Sequence, residues 1–577
     1  MRALLLICGL TGLFFGWNLP NHYPPWTAFH SELVAALGAS LLFLGLLWPQ
    51  PASVGGDPLQ AASRVALPLP FAARMWLLAG LVPVVQFLAG GLAFRGDALL
   101  GLLYGLGVAM SLYAGSLWAA QEGGARVVKL VCATIVFGGL AASGLALAQW
   151  QGLGAGGWWA MELIASRPYG NLAQPNHFGL LMLMSLIATT ALFETRDIKH
   201  RASYYLAVAM FGAALLISQS RASVVALVAV VALWCLTRHR APTRLRIVEV
   251  VAMAAAGTLF YFGLESIEQA LYLAAAAGPR QMLQIGPRES IWLLFVAAIK
   301  QHPWLGYGFG QGVMALAEVA AQGQPARNSI YAHNVVLDLM TWFGVPLAIA
   351  MTAALGKWFL GWLRTGGAPE EAARRHWVAA IWLALLVQSL LEFPFAHSYF
   401  LLPAALLAGA ITGVPLTVRA TTAPSPGYRA SLTAMALAAI TIGLLAAVAR
   451  DYFWLEGDFR ANRFERANFS HRPEHESLTH PIVLDQLAAL NATAHFNIRA
   501  GMPAEQIASL HTVARRFHIL PIRMDYARAL ALNGRLDEAN HELQILHGLY
   551  PDVVFKQIDA QWQDWLRENR LVNLPAN

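Results

Sequence analysis

Charge is scarce in this sequence. Only 12% of its 577 residues are Asp, Glu, Lys or Arg, against about 25% in an ordinary soluble domain. Cysteine is nearly absent: Cys8, Cys132 and Cys235 all sit inside apolar runs, which leaves neither a disulfide framework nor a zinc spacing. There is no Asp-x-Asp and no dinucleotide-binding pattern. Glycines alternate at 306, 308, 310 and 312, yet no strand pattern precedes them and no Gly-Lys-Ser/Thr follows. They read as a chain reversal at a membrane surface. These absences exclude a disulfide-stapled secreted domain, a zinc module and a soluble nucleotide-sugar enzyme.

What is present is apolar. Hydrophobic residues make up 57% of the chain, and the mean hydropathy is +0.51. The expected class is all-α, a polytopic integral membrane protein. Thirteen apolar segments fall near 3–19, 31–48, 72–94, 98–119, 127–149, 173–193, 203–219, 222–238, 245–263, 334–363, 376–391, 397–414 and 431–449. The first lacks a small-x-small cleavage site and is read as a span rather than a signal peptide. About thirteen transmembrane helices follow, in a domain over 1–450 with one large outer loop at 264–333. Within that loop, 266–277 and 312–322 are Ala-rich and read as helical, and 288–300 as a short amphipathic helix. Residues 451–577 turn polar and predict a soluble helical domain. The stretch Tyr526–Ala539, with Tyr550-Pro551 after it, has the punctuation of one tetratricopeptide-like (TPR-like) hairpin.

The net charge of +7 does not point to nucleic acid, because the positive residues flank apolar runs. With a cytoplasmic N-terminus, the Lys and Arg up to residue 430 divide eighteen inside and seven outside. That is the bias the positive-inside rule requires. An odd number of spans then places the C-terminal domain outside the cytoplasm.

The few outer cations therefore carry information. They are Arg95, Arg167, Arg221, Arg280, Arg288, Lys300 and Arg327. Arg221 centres a short turn of small polar residues, Ser218-Gln-Ser-Arg-Ala-Ser223. A charge so near hydrocarbon is costly, and the reading favoured here is phosphate binding. The loop ending at His177 gathers Asn171, Gln174 and Asn176, which suit either helix capping or hydrogen bonding to sugar hydroxyls. His177 itself fits a packed boundary histidine better than a base. The sequence from Tyr331 to Gly344 places His333-Asn334 where an apolar segment begins.

Outside a bacterial cytoplasm there is no nucleotide pool, so a transferase there needs an activated donor such as a lipid-linked pyrophosphate. Guanidinium groups can neutralise the diphosphate leaving group directly. Arg221 and Arg288 are the first candidates, with Arg327 and Arg280 behind them. No carboxylate cluster in the outer loops suggests a metal, and no cofactor is implied. An acceptor hydroxyl needs a base, and imidazole, with an ordinary pKa of about 6.5, suits proton transfer near neutrality. His333 is the candidate, with helix capping as the competing role.

These residues resemble a family. His333-Asn334, nine residues and Gly344 resemble the histidine motif of the O-antigen ligase and polymerase superfamily. Gln219-Ser-Arg-Ala222 and Arg288-Glu-Ser-Ile-Trp292 are similar to its arginine motifs. Arg167–Gly179, the Tyr23–Glu32 loop and the C-terminal helical extension resemble its protein O-oligosaccharyltransferase branch, the PglL-type pilin-glycosylating ligases. The resemblance implies a GT-C-like inner-membrane glycosyltransferase with a periplasmic active site. It would move a preassembled glycan en bloc from undecaprenyl pyrophosphate to Ser/Thr hydroxyls of pilin-like or other periplasmic proteins. The reaction would be inverting and metal-independent. His333 would be the base. Arg221, Arg288 and Arg327 would hold the pyrophosphate. Asn171, Gln174, Asn176, His177, Tyr331 and Asn334 would line the glycan or acceptor groove. The alternative within the family is ligation to lipid A-core or polymerisation of repeat units. A transporter or flippase fits less well, because its ionisable residues belong at mid-membrane.

Overall fold

The structure is a computed structural model. It describes residues 1–48, 69–153, 158–163, 167–240, 243–271, 288–323, 327–364, 368–412, 428–467, 469, 480–517 and 519–571. All of 272–287, Arg280 included, lies outside the described residues. Among the described residues there is no strand.

The apolar periodicity resolves into helices. They are α1 Arg2–Gly16, α2 Phe29–Leu47, α3 Phe71–Leu88, α4 Arg95–Glu122, α5 Gly124–Trp150, α6 Pro175–Glu194, α7 Arg201–Ile217, α8 Arg221–Thr237 and α9 Ile247–Ala270. There follow α10 Arg288–Gln301, α11 Gly312–Ala321, α12 Val335–Phe343, α13 Val345–Arg364, α14 Pro369–Ser389, α15 Ser398–Thr412 and α16 Tyr428–Arg466. The chain ends in α17 Asp485–Ala494, α18 Ala504–Phe517, α19 Leu520–Leu532, α20 Leu536–Leu549 and α21 Asp552–Glu568. Among the described residues, eight helices are long and apolar enough to cross a membrane: α2, α3, α4, α5, α6, α9, α13 and the 434–465 part of α16. Helices α1, α7, α8, α11 and α15 are apolar but shorter.

One sequence expectation changes. The apolar segment 334–363 is two helices, broken at Gly344, whose φ of +79° no side-chain-bearing residue adopts cheaply. The predicted boundary at 450 falls inside α16, which runs unbroken to Arg466. The helical hairpin expected at 526–551 is formed by α19 and α20, with Gly534 between them.

The chain forms two compact units. The first comprises 1–80, 103–284 and 354–446. Lipid gives helices no hydrophobic drive to associate, so close packing of small residues must do it. Here α1 and α2 pack at Gly9, Gly12 and Gly38: a Cβ on Gly12 would lie 2.7 Å from the Gly38 Cα. Helices α4 and α15 meet the same way, through Gly115 and Gly409, and Ser116 Oγ donates to the Gly409 carbonyl at 3.0 Å. Helix α6 is apolar all round and almost wholly buried, as a central helix should be.

The second unit comprises 81–102, 285–353 and 447–577. It joins the C-terminal helices to the segment that carries His333. Ile291, Phe295, Leu316, Ala317, Ala320 and Ala332 share one apolar cluster with Ile545 and Leu549 of α20. Asp97, in the first turn of α4, accepts two hydrogen bonds from Arg516 of α18, at 2.7 and 2.8 Å. Buried Asp451 accepts the Val483 and Leu484 amides at 2.7 and 3.1 Å.

Candidate active site

The predicted site residues divide between the units. In the second unit, His333 stands half-buried in the turn before α12 with φ +55°. Asn334 is the N-cap of α12, and its Oδ1 accepts the Val336 and Leu337 amides at 3.0 and 3.3 Å. Tyr331 is half-buried and packs edge-to-face on Trp342, with ring centroids 6.2 Å apart. Arg288 opens α10 half-buried, and Arg327 is exposed.

The glycine loop does more than reverse the chain. It clasps the C-terminal end of α12, where carbonyls would otherwise lack partners. The Tyr307 and Gly308 amides donate to the Thr341 and Trp342 carbonyls at 2.7 and 3.1 Å. The Gln86 side chain closes the clasp, donating to the Trp342 carbonyl at 2.8 Å and accepting the Phe309 amide at 3.0 Å. A Cβ on Gly306 would lie 2.5 Å from the Thr341 oxygen.

In the first unit, Arg221 is the first residue of α8 and half-buried. Ser220 caps that helix through the Ser223 amide at 3.3 Å, and Gln219 before it has φ +49°. Arg167 holds this turn, donating from Nε to the Ser218 carbonyl at 2.8 Å and from Nη2 to Asn176 Oδ1 at 3.3 Å. Asn176 in turn donates to Glu392 Oε1 at 2.7 Å. Gln174 is the N-cap residue of α6, yet its side chain makes no cap bond and its Oε1 is buried without a hydrogen-bond partner among the described residues. Asn171 is 1% exposed. It ties backbone to backbone, accepting the Met161 amide at 3.0 Å and donating to the Asn18 and Trp159 carbonyls at 2.8 and 2.9 Å. His177 is buried against Phe393, His397 and Phe400, with centroids at 5.2, 4.5 and 5.8 Å.

Sequence reasoning missed the partners of this second group. Glu32 accepts from His397 Nδ1 at 2.8 Å, from the Ser398 amide at 2.7 Å, and from Ser398 Oγ. Burial pushes the His22 pKa down to about 4, with the charges of His397 and His30 acting in the same direction. The available signal was Glu392-Phe-Pro-Phe-Ala-His397-Ser398, where ionisable residues interrupt two apolar runs. Among the described residues, no group of three or more His, Cys, Asp or Glu is arranged to hold a metal ion.

Two family profiles match the chain. One, described as O-antigen ligase, covers 206–352 and so contains Arg221, Arg288, Arg327 and His333. The other, described as the C-terminal part of a virulence factor membrane-bound polymerase, covers 376–564. The chain is 29% identical over 468 residues to a general O-oligosaccharyltransferase of Acinetobacter baylyi, spanning 78% of this chain and 76% of the relative. These matches support membership of the O-antigen ligase and O-oligosaccharyltransferase superfamily. It is a glycosyltransferase. A ComP-specific O-oligosaccharyltransferase of the same organism is 27% identical over 248 residues, which is 43% of this chain and 44% of that relative. The two profiles together reach from α7 to α21, so the superfamily match takes in the C-terminal helices as well as the His333 turn.

Proposed function

We propose that this glycosyltransferase transfers a preassembled glycan en bloc from undecaprenyl pyrophosphate to Ser/Thr hydroxyls of periplasmic or pilin-like proteins. His333 takes the hydroxyl proton as the oxygen attacks the anomeric carbon. The bond from that carbon to the phosphate oxygen breaks, and the lipid pyrophosphate leaves. A single displacement inverts the anomeric centre without a metal. The leaving group's charge falls to Arg221, Arg288 and Arg327. The groove residues are Gln174, Asn176, His177, Tyr331 and Asn334. Asn171 reaches the groove through its grip on the loop backbone. The protein sits in the bacterial inner membrane with about thirteen GT-C-like spans over 1–450 and a cytoplasmic N-terminus. The loop at 264–333 and the TPR-like helices of 451–577 lie in the periplasm.

The observation that carries this reading is His333, braced in a left-handed turn inside the O-antigen ligase match. The alignment to a general O-oligosaccharyltransferase across both units favours a protein acceptor. The profile descriptions favour a second reading, in which the same chemistry serves a lipid A-core acceptor or repeat-unit polymerisation.

The test is transfer in vitro with purified protein, a defined lipid-linked oligosaccharide, and either a pilin or lipid A-core. Glycan on the pilin alone supports the first reading, and glycan on lipid A-core alone replaces it with the second. His333→Ala should lower turnover by roughly 10²–10⁴-fold. A folded variant that still transfers at the wild-type rate removes the base role.

A further inference from the structure

His333 carries a side chain at φ +55°. For a residue with a Cβ that region is strained, and such strain persists only where the surroundings over-determine it. The cap formed by Asn334 fixes the chain after His333. Another group must fix the chain before it.

We propose that Asp338 is a positioning residue that locks the His333 turn in its reactive conformation. This rests on the base role given to His333 above. Asp338 sits one turn into α12 and is 0% exposed. Its Oδ1 reaches back across the turn and accepts the Ala332 amide at 2.9 Å. The backbone entering the turn of His333 is therefore tied to one buried side chain. Three further ties make that side chain a fixed point. The Asp338 amide donates to the Asn334 carbonyl at 2.9 Å. The far end of α12 is held by the glycine loop and Gln86. Ala332, 0% exposed, is anchored in the apolar cluster of α10, α11 and α20.

A buried carboxyl is an expensive way to hold a loop, and a packing role alone does not need one. Oδ2 of Asp338 is buried without a hydrogen-bond partner among the described residues. The chain tolerates this cost where it bears on the residue that moves the proton. The position fits that role: Asp338 touches the turn and not the substrate, so its effect passes through His333.

The test is steady-state transfer by the full-length protein carrying Asp338→Ala, Asp338→Asn or His333→Ala, with a defined lipid-linked oligosaccharide and the acceptor protein. Asp338→Ala is expected to lower kcat by about 10–100-fold while the donor KM stays within about threefold, because a misplaced base slows chemistry and not binding. Asp338→Asn keeps an acceptor for the Ala332 amide and should recover at least tenfold of that loss. A merely structural role would show as reduced folded protein with kcat per folded molecule unchanged, and that result overturns the proposal. It also falls if Asp338→Asn is as slow as Asp338→Ala. The two ideas fail separately. An active His333→Ala protein removes the base role, whereas an inactive His333→Ala beside a fully active Asp338→Ala removes only the positioning role. Should Asp338→Ala not fold, the comparison of Asp338→Asn with wild type still decides: a donor KM change without a kcat change refutes the proposal.

Discussion

Replacing Arg516 with Met should loosen the helices that carry the C-terminal end of the chain. Arg516 and Asp97 are 419 positions apart and joined by two charge-assisted hydrogen bonds at 2.7 and 2.8 Å. Asp97 is 3% exposed, and its Oδ2 also accepts from the Gln311 amide at 3.4 Å. Without the guanidinium, the carboxylate is left buried and uncompensated. Breaking a buried pair from one side costs about 3–5 kcal/mol, a factor of roughly 10²–10³·⁵ in an opening equilibrium. Removing both charges costs less, because well-packed apolar replacements of a buried pair are often neutral. The Arg516→Met variant should therefore be much less stable than the Asp97→Leu/Arg516→Met double variant. Global melting of a membrane protein of this size need not be two-state. The suitable assay is amide hydrogen exchange across 504–549 in detergent, which reads local opening directly. Protection in this segment should fall by two orders of magnitude or more in the single variant and largely return in the double. Unchanged exchange in Arg516→Met would refute the reasoning. So would a double variant as loose as the two single variants added together.

Gly344→Ala should destabilise by more than the roughly 1–3 kcal/mol of backbone strain alone, because its Cβ would lie 2.1 Å from the Trp304 oxygen. A wild-type thermal midpoint together with wild-type transfer would contradict this. Asn171→Ala should cost about 1–3 kcal/mol by orphaning buried backbone groups; a raised glycan KM at unchanged stability would instead show that the side chain contacts substrate.

Much of the fold was legible because its signals are local. Each of the thirteen apolar segments is helical, and α10 and the hairpin of α19 and α20 fall where their punctuation predicts. The break at Gly344 was not legible, since the apolar run crosses it without change of composition, and the positive φ and the approach of Trp304 that make glycine necessary exist only in the fold. In the site, the Asn334 cap could be read from its place before an apolar segment. Asp338 could not, because an acidic residue in the first turn of a helix ordinarily serves the helix dipole. Glu32 and His397, 365 positions apart, gave no joint signal, although each stands at an apolar boundary.

The sequence by itself determined the class of molecule. Low charge and repeated apolar runs require membrane helices, because backbone groups in lipid must be satisfied within the segment that carries them. It also determined which histidine and arginines were worth weighing, since a cation beside hydrocarbon is costly enough to need a reason. Only the tertiary structure decided how the turn of His333 is held and which distant carboxylate meets Arg516. Hydrogen bonds and ion pairs act over about 3 Å in space, and a distance along the chain carries no record of which groups the fold brings that close.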